Sequence, residues 1–148
     1  MITCTVENKI KDLTKINDKY VIPINITNNN KLYKNIIELL YIKKSKKELN
    51  NINIVRMIEN YFLEMACVIY DCYFLLKKGG KFIMVNDNVR YAGISISVDL
   101  ILSEIARQIG FTVEKISLLP QKKGNSSQQM GEHGKESLRK CVYIWSKK

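Results

Sequence analysis

A chain of 148 residues with 46% hydrophobic content is long enough to bury one ordinary core and too apolar for a disordered tail. Its formal charge of +10 suits a partner rich in phosphate, although a Lys-, Asn- and Ile-rich composition of the kind an AT-rich genome produces raises the charge by itself. The most apolar stretch, 54–76, contains Arg56, Glu59, Asn60, Glu64 and Asp71, which argues against a membrane span, and Met1 to Glu7 lack the basic-then-apolar pattern of a secretory signal.

Residues 1–53 form a weakly specified N-terminal segment. Lys9 to Lys19 is polar with isolated apolar residues. Tyr20-Val21-Ile22-Pro23-Ile24 reads as a short extended piece, because Pro23 cannot donate to a central ladder. Asn28-Asn29-Asn30 reads as a turn and Leu32 to Ile42 as a short helix. The lysine run that follows, 43–47, reads as a solvated surface rather than a dedicated binding patch.

From residue 54 to 148 the pattern sharpens into one unit. Met57, Ile58, Tyr61, Phe62, Met65, Val68, Ile69, Cys72, Leu75 and Leu76 recur at three- and four-residue spacing and predict a long amphipathic helix. Lys77-Lys78-Gly79-Gly80 ends it, with cations in the last turn and glycine for the left-handed cap. Lys81 to Asp87 reads as a buried strand, and Val98 to Ile109 as a second helix with Asp99 near its start and Gly110 just past its end. Phe111 to Leu119 is the next strand, 120–137 a long loop, and Arg139 to Trp145 the last strand. A helix between two strands predicts a right-handed parallel crossover, while the loop before the final strand makes that strand antiparallel. The four cysteines, Cys4, Cys67, Cys72 and Cys141, form no CxxC pair. That pattern supports neither a zinc site nor a disulfide framework, and points to a reduced, cytoplasmic setting.

Two polar, glycine-punctuated loops stand after strands, where an open α/β sheet keeps its ligand. The first, 86–93, offers Asn86, Asp87, Asn88, Arg90 and Tyr91. Arg90 suits a phosphate and Tyr91 suits stacking on a base, although Asp87-Asn88 also reads as ordinary turn chemistry. The second, 124–134, offers Asn125, Ser126, Gln128 and Gln129, flanked by Lys122, Lys123, Arg139 and Lys140. Asn and Gln read adenine edges bidentately, and the flanking cations suit phosphates; an ordinary mobile loop has a similar composition. Residues 120–148 carry 7 basic against 2 acidic side chains, whereas 61–119 are balanced at 6 and 6. His133, the sole histidine, has no nucleophile or ligand set beside it in the sequence. Tyr143 and Trp145 read as packing residues.

The order of elements, with Leu75-Leu76-Lys77-Lys78-Gly79-Gly80 before one strand and Ile109-Gly110-Phe111 before the next, resembles the C-terminal half of a class I S-adenosylmethionine-dependent methyltransferase. In that likeness these segments lead to the fifth and sixth strands. The wording of 86–93, 98–104, 124–131 and 138–145 is similar to bacterial site-specific DNA methyltransferases that modify exocyclic amino groups. Cys4 to Lys9 resembles their segment just downstream of the catalytic loop. The resemblance implies an α/β fold, the C-terminal part of a Rossmann-like sheet with its last strand antiparallel. It also implies DNA as partner, S-adenosylmethionine as cofactor of the complete enzyme, and a restriction-modification setting.

The chain departs from that family in two motifs. It holds neither an FxGxG-like cofactor loop nor a Ser/Asn/Asp-Pro-Pro-Tyr tetrapeptide, since its only prolines are Pro23 and Pro120. No catalytic residue is therefore assigned, and the chain is expected not to methylate alone. It reads as one part of an enzyme whose other half comes from a separate chain, or as a truncated product. The alternative is a non-catalytic remnant or a DNA- or protein-binding module, self-associating through an exposed sheet edge. A fragment of an RNA or small-molecule methyltransferase is a third reading.

Overall fold

A computed structural model of the chain describes residues 15, 18–120, 134 and 137–148. A 3-10 turn, Asp18–Tyr20, leads into helix α1 (Val21–Asn29), followed by α2 (Lys31–Ser45) and α3 (Ile54–Leu75). Strand β1 (Lys81–Asp87) is next, then the short strands β2 (Val89–Tyr91) and β3 (Ile94–Ile96), helix α4 (Val98–Ile109), and strands β4 (Thr112–Leu119) and β5 (Lys140–Ser146). Among these elements, no helix is long and apolar enough to cross a membrane.

The main sheet has the order β1-β5-β4, with β5 antiparallel to both neighbours. β1 and β4 therefore run in the same direction, as expected for strands joined by α4, but the last strand is inserted between them. The fold is mixed α/β, and the antiparallel closing strand follows the sequence expectation. On one face of the sheet Cys141, Tyr143 and Trp145 are fully buried beneath α3 and α4. Trp145 stacks on Phe82 with centroids 5.5 Å apart and on Tyr143 at 5.7 Å, and Phe111 lies tilted at 6.0 Å. The same apolar cluster reaches α2, where Tyr33 meets Phe62 edge-to-face at 5.5 Å.

Two sequence expectations fail in the N-terminal segment. Residues 21–24 are helical, not extended, because Pro23 occupies the first turn of α1, where backbone N–H groups have no intrahelical partner to lose. Thr27 then donates its hydroxyl to the Pro23 carbonyl at 2.9 Å. Asn28 and Asn29 belong to α1, and Asn30 alone makes the turn, capping α2 by accepting from the Tyr33 N–H at 2.9 Å.

The end of α3 is held from afar. Leu76 leaves helical geometry and Gly79 takes a φ of 77°, but the cation on the last carbonyls is Lys147. Its Nζ donates to Tyr73 O at 2.7 Å and Leu76 O at 2.9 Å, placing positive charge at the negative helix end. Gly110 ends α4 with a φ of 128°, and a Cβ there would stand 2.7 Å from the Tyr73 hydroxyl.

Replacing Gly110 by Ala is expected to cost about 1–3 kcal/mol through the added strain and clash. Trp145→Ala is expected to cost about 3–5 kcal/mol through cavity formation. Urea unfolding of the two variants against the parent chain measures both.

Candidate nucleic-acid interface

The loop expected at 86–93 is mostly strand. Asn86 and Asp87 complete β1, and β2 turns back on β3 through Ala92-Gly93, both at positive φ (46° and 79°). Tyr91 pairs with Ile94, so the connection is a two-residue hairpin of the primed type, whose backbone twist matches the flanking strands. Ala-Gly is not the usual Asn-Gly or Asp-Gly signature, which is why the sequence reading sees a loop.

This hairpin sits at the C-terminal end of β1, beside the start of β5. Asp87 faces Lys140 across the ladder, Asn86 faces Cys141, and the Asn88 N–H donates to Arg139 O at 2.9 Å. Asn86, Asp87, Asn88, Arg90, Tyr91, Arg139 and Lys140 are thus gathered at one end of the sheet. Lys122, Lys123, Asn125, Ser126, Gln128, Gln129 and His133 lie outside the described residues.

The gathered residues divide by role. Asn88 is buried and its side-chain oxygen accepts from the Asp99 N–H at 3.1 Å, so it caps α4 from a distant segment. Tyr91 is buried too, and it lines the cavity between α3 and the hairpin. Asn86 donates its amide to the Tyr61 hydroxyl and accepts from the Asp87 N–H. Arg90 donates from Nε to Gly93 O at 3.4 Å, bracing its own hairpin. Asp87 and Lys140 lie 3.8 Å apart with both side chains partly open to solvent. An exposed pair of this kind contributes little stability and is readily re-partnered.

Beneath them lies a centre that the sequence reading only glimpsed as a helix-start acid. Asp99 is 1% exposed. One carboxylate oxygen accepts from the Leu100 N–H at 2.9 Å; the other meets an Arg139 nitrogen at 3.2 Å and accepts from the Cys141 thiol at 3.4 Å. A buried carboxylate needs such a set of donors to offset desolvation. Arg139 is anchored at this end while its side chain stays half exposed. Burial first, and the bond to Asp99 second, push the Cys141 thiol up to about 11. Burial, with Asp71 and Glu64 nearby, pushes Cys67 to about the same value.

Between α3 and the hairpin opens a cavity of about 220 Å³, lined mainly by apolar side chains including Met57, Phe62, Val89 and Tyr91, with Tyr61, Asn86 and Asp87 as its polar groups. Drug-sized ligand sites run at about 300–1,000 Å³, so this cavity does not fit a nucleoside cofactor such as S-adenosylmethionine. Nor does any described segment form a glycine loop that would seat one.

Removing the Asp99 carboxylate should strand its donors, so Asp99→Ala is expected to cost about 2–3 kcal/mol, and Asn88→Ala about 1 kcal/mol for the lost cap. Chemical denaturation reads both. The two thiols give a pH dependence. Their folded values lie above the ordinary thiol value near 9, so the unfolded chain ionises first. Stability is expected to hold below about pH 9 and to fall as the pH rises to about 11. Denaturation midpoints across that range test the sign.

Comparison with known proteins now adds to this geometry. No family model matches the chain, and no solved structure matches it. The chain is 56% identical over 147 residues to the Type II methyltransferase M.AvaI of Nostoc sp. (strain PCC 7120 / SAG 25.82 / UTEX 2576), and equally to that of Anabaena variabilis. It is 40% identical over 155 residues to the Type II methyltransferase M.BsoBI of Geobacillus stearothermophilus. In each case 99% of this chain is covered, but the chain spans only about 30% of the relative's length. Over nearly its whole length, therefore, this chain is homologous to a segment of the bacterial Type II methyltransferases.

Proposed function

We propose that the chain is the C-terminal portion of a site-specific DNA methyltransferase. The complete enzyme would transfer a methyl group from S-adenosylmethionine to an exocyclic amine of cytosine or adenine, in the cytoplasm, as the modification arm of a restriction-modification system. The observation that carries this reading is the 56% identity to a Type II methyltransferase across 99% of the chain. The gathering of Arg90, Arg139 and Lys140 around the end of β1 supports it, because cations at the ligand edge of a sheet suit a phosphate backbone.

The chain's own share is on the DNA side. The braced hairpin presents Arg90, and the start of β5 presents Lys140 and the outer part of Arg139. Each would hold backbone phosphates and so fix the register of the duplex, a contact that carries no sequence information itself. Lys122 and Lys123 have the chemistry for phosphates, and Asn125, Ser126, Gln128 and Gln129 that for base edges. The bound cofactor supplies the methyl group. Its seat and the Pro-Pro-Tyr grip on the target amine belong to polypeptide outside these 148 residues, so the chain alone is inactive.

The test is complementation in trans. The purified chain is mixed with the Nostoc methyltransferase lacking its matching stretch, DNA and S-adenosylmethionine, and the DNA is digested to nucleosides for mass spectrometry. N-methylated cytosine or adenine should appear only with both proteins present. Methylated RNA in its place, or no methylated base from an assembled mixture, would count against the reading. Lys140→Ala in the mixture should weaken DNA binding uniformly across sequences and lower the salt dependence by about one counterion.

A further inference from the structure

The turn that closes α2 is built from lysine where a helix stop ordinarily uses glycine. The Glu48 N–H donates to Lys43 O and the Lys47 N–H to Lys44 O, both at 3.0 Å, the paired bonds of a left-handed helix ending. The residue such an ending places at positive φ is usually glycine, which has no Cβ to crowd the backbone. Here it is Lys47, at a φ of 58°. The apolar contact that commonly accompanies the turn is replaced by an ion pair between Lys43 and Glu48. Glu59, the next acid along the chain, accepts from the Tyr41 hydroxyl at 3.2 Å and lies beside Lys44. Lys46 and Lys47 are left exposed, with no ion pair among the described residues. Glycine at 47 would relieve the backbone, and two neighbouring cations repel each other, so a purely structural role does not account for this pair.

The turn also has a telling place in the fold. α3 runs opposite to β1, because its first turns reach the far end of that strand: Met57, Ile58 and Tyr61 line the cavity together with Asn86 and Asp87. The basic turn leads into that end of α3. Leu49, buried in the core, and the bond from Tyr41 to Glu59 hold it there, and α2 itself packs against β3 of the hairpin. Lys46 and Lys47 therefore stand at the same end of the molecule as Arg90, Arg139 and Lys140. The turn adjoins the α3 wall of the cavity, and the hairpin that carries Arg90 forms the wall opposite. Cations on two sides of one hollow suit a polyanion that passes over it.

We propose that the turn at 43–47 is a second contact for the DNA backbone, in which Lys46 and Lys47 each hold a phosphate of the duplex whose other contacts are Arg90, Arg139 and Lys140. This rests on the reading proposed above and adds a second arm to its surface.

The test titrates the purified chain into fluorescein-labelled duplexes of two unrelated sequences at several salt concentrations, read by anisotropy. The double substitution Lys46→Gln, Lys47→Gly should weaken binding about fivefold or more on both duplexes, and lower the slope of log affinity against log salt by about two. The same variant should unfold at an equal or higher urea concentration, since glycine suits the left-handed position, so lost binding would not reflect lost structure. Lys31→Gln, Lys34→Gln removes the same charge from the first turn of α2 and should change affinity less than about twofold. Equal weakening by the two double substitutions overturns the inference. So does unchanged binding by Lys46→Gln, Lys47→Gly, or a folded chain that binds phosphatidylserine vesicles and no DNA. Binding lost with Lys140→Ala but kept without Lys46 and Lys47 leaves the interface at the end of β1 standing and removes the turn from it. The opposite pattern upholds the turn and refutes that interface.

Discussion

β5 is wedged between two strands that run the other way, and most of the molecule depends on that placement. Its backbone groups are shared with β1 on one side and β4 on the other, so losing it would free both ladders at once. Trp145 drives the wedge home. Its ring is fully buried and contacts Phe82 from β1, Phe111 from the entry to β4, and Tyr143 from its own strand. Aromatic surface of that size dominates a small core. Its indole N–H has no hydrogen-bond partner among the described residues, so packing alone holds it. The strand after it is used as well, since Lys147 closes the end of α3.

The candidate interface inherits its rigidity from the same strand. Cys141 and Arg139, at the start of β5, both reach the Asp99 carboxylate, while Asn88 caps the helix that carries it. Three segments far apart in sequence thus meet at one buried charge. Leaving such a charge without donors is costly, so these contacts tie the start of α4 to β5 and to the residue before the hairpin. Arg139 and Lys140 stand beside this cluster with their side chains about half exposed. Asp87 holds Lys140 only through a surface pair, which screening by salt or an incoming phosphate can replace.

Periodicity made much of this legible in advance. The bounds of α4 and the long run of α3 follow from apolar spacing, and the antiparallel closing strand from the loop before it. Tyr143 and Trp145 read as packing residues and are fully buried. The misses have physical causes. Pro23 breaks strands and helix interiors alike but is harmless in a helix's first turn, and single-residue rules do not say which position it occupies. The hairpin at 89–96 turns on Ala-Gly, where Ala92 accepts a left-handed conformation that its sequence does not advertise. Asn88 and Tyr91 are both buried, and Asn88 is held by the Asp99 N–H, eleven positions away. The Asp99 centre joins residues 11 and 42 positions apart, and no local pattern carries that information.

The cavity and the outer edge of the sheet share two residues, Asn86 and Asp87, which belong to β1 and also line the hollow between α3 and the hairpin. The hollow is small and its lining is mainly apolar. Of its polar groups, Asn86 is held by Tyr61, and its apolar walls come from α3, β2, β3 and the start of α4.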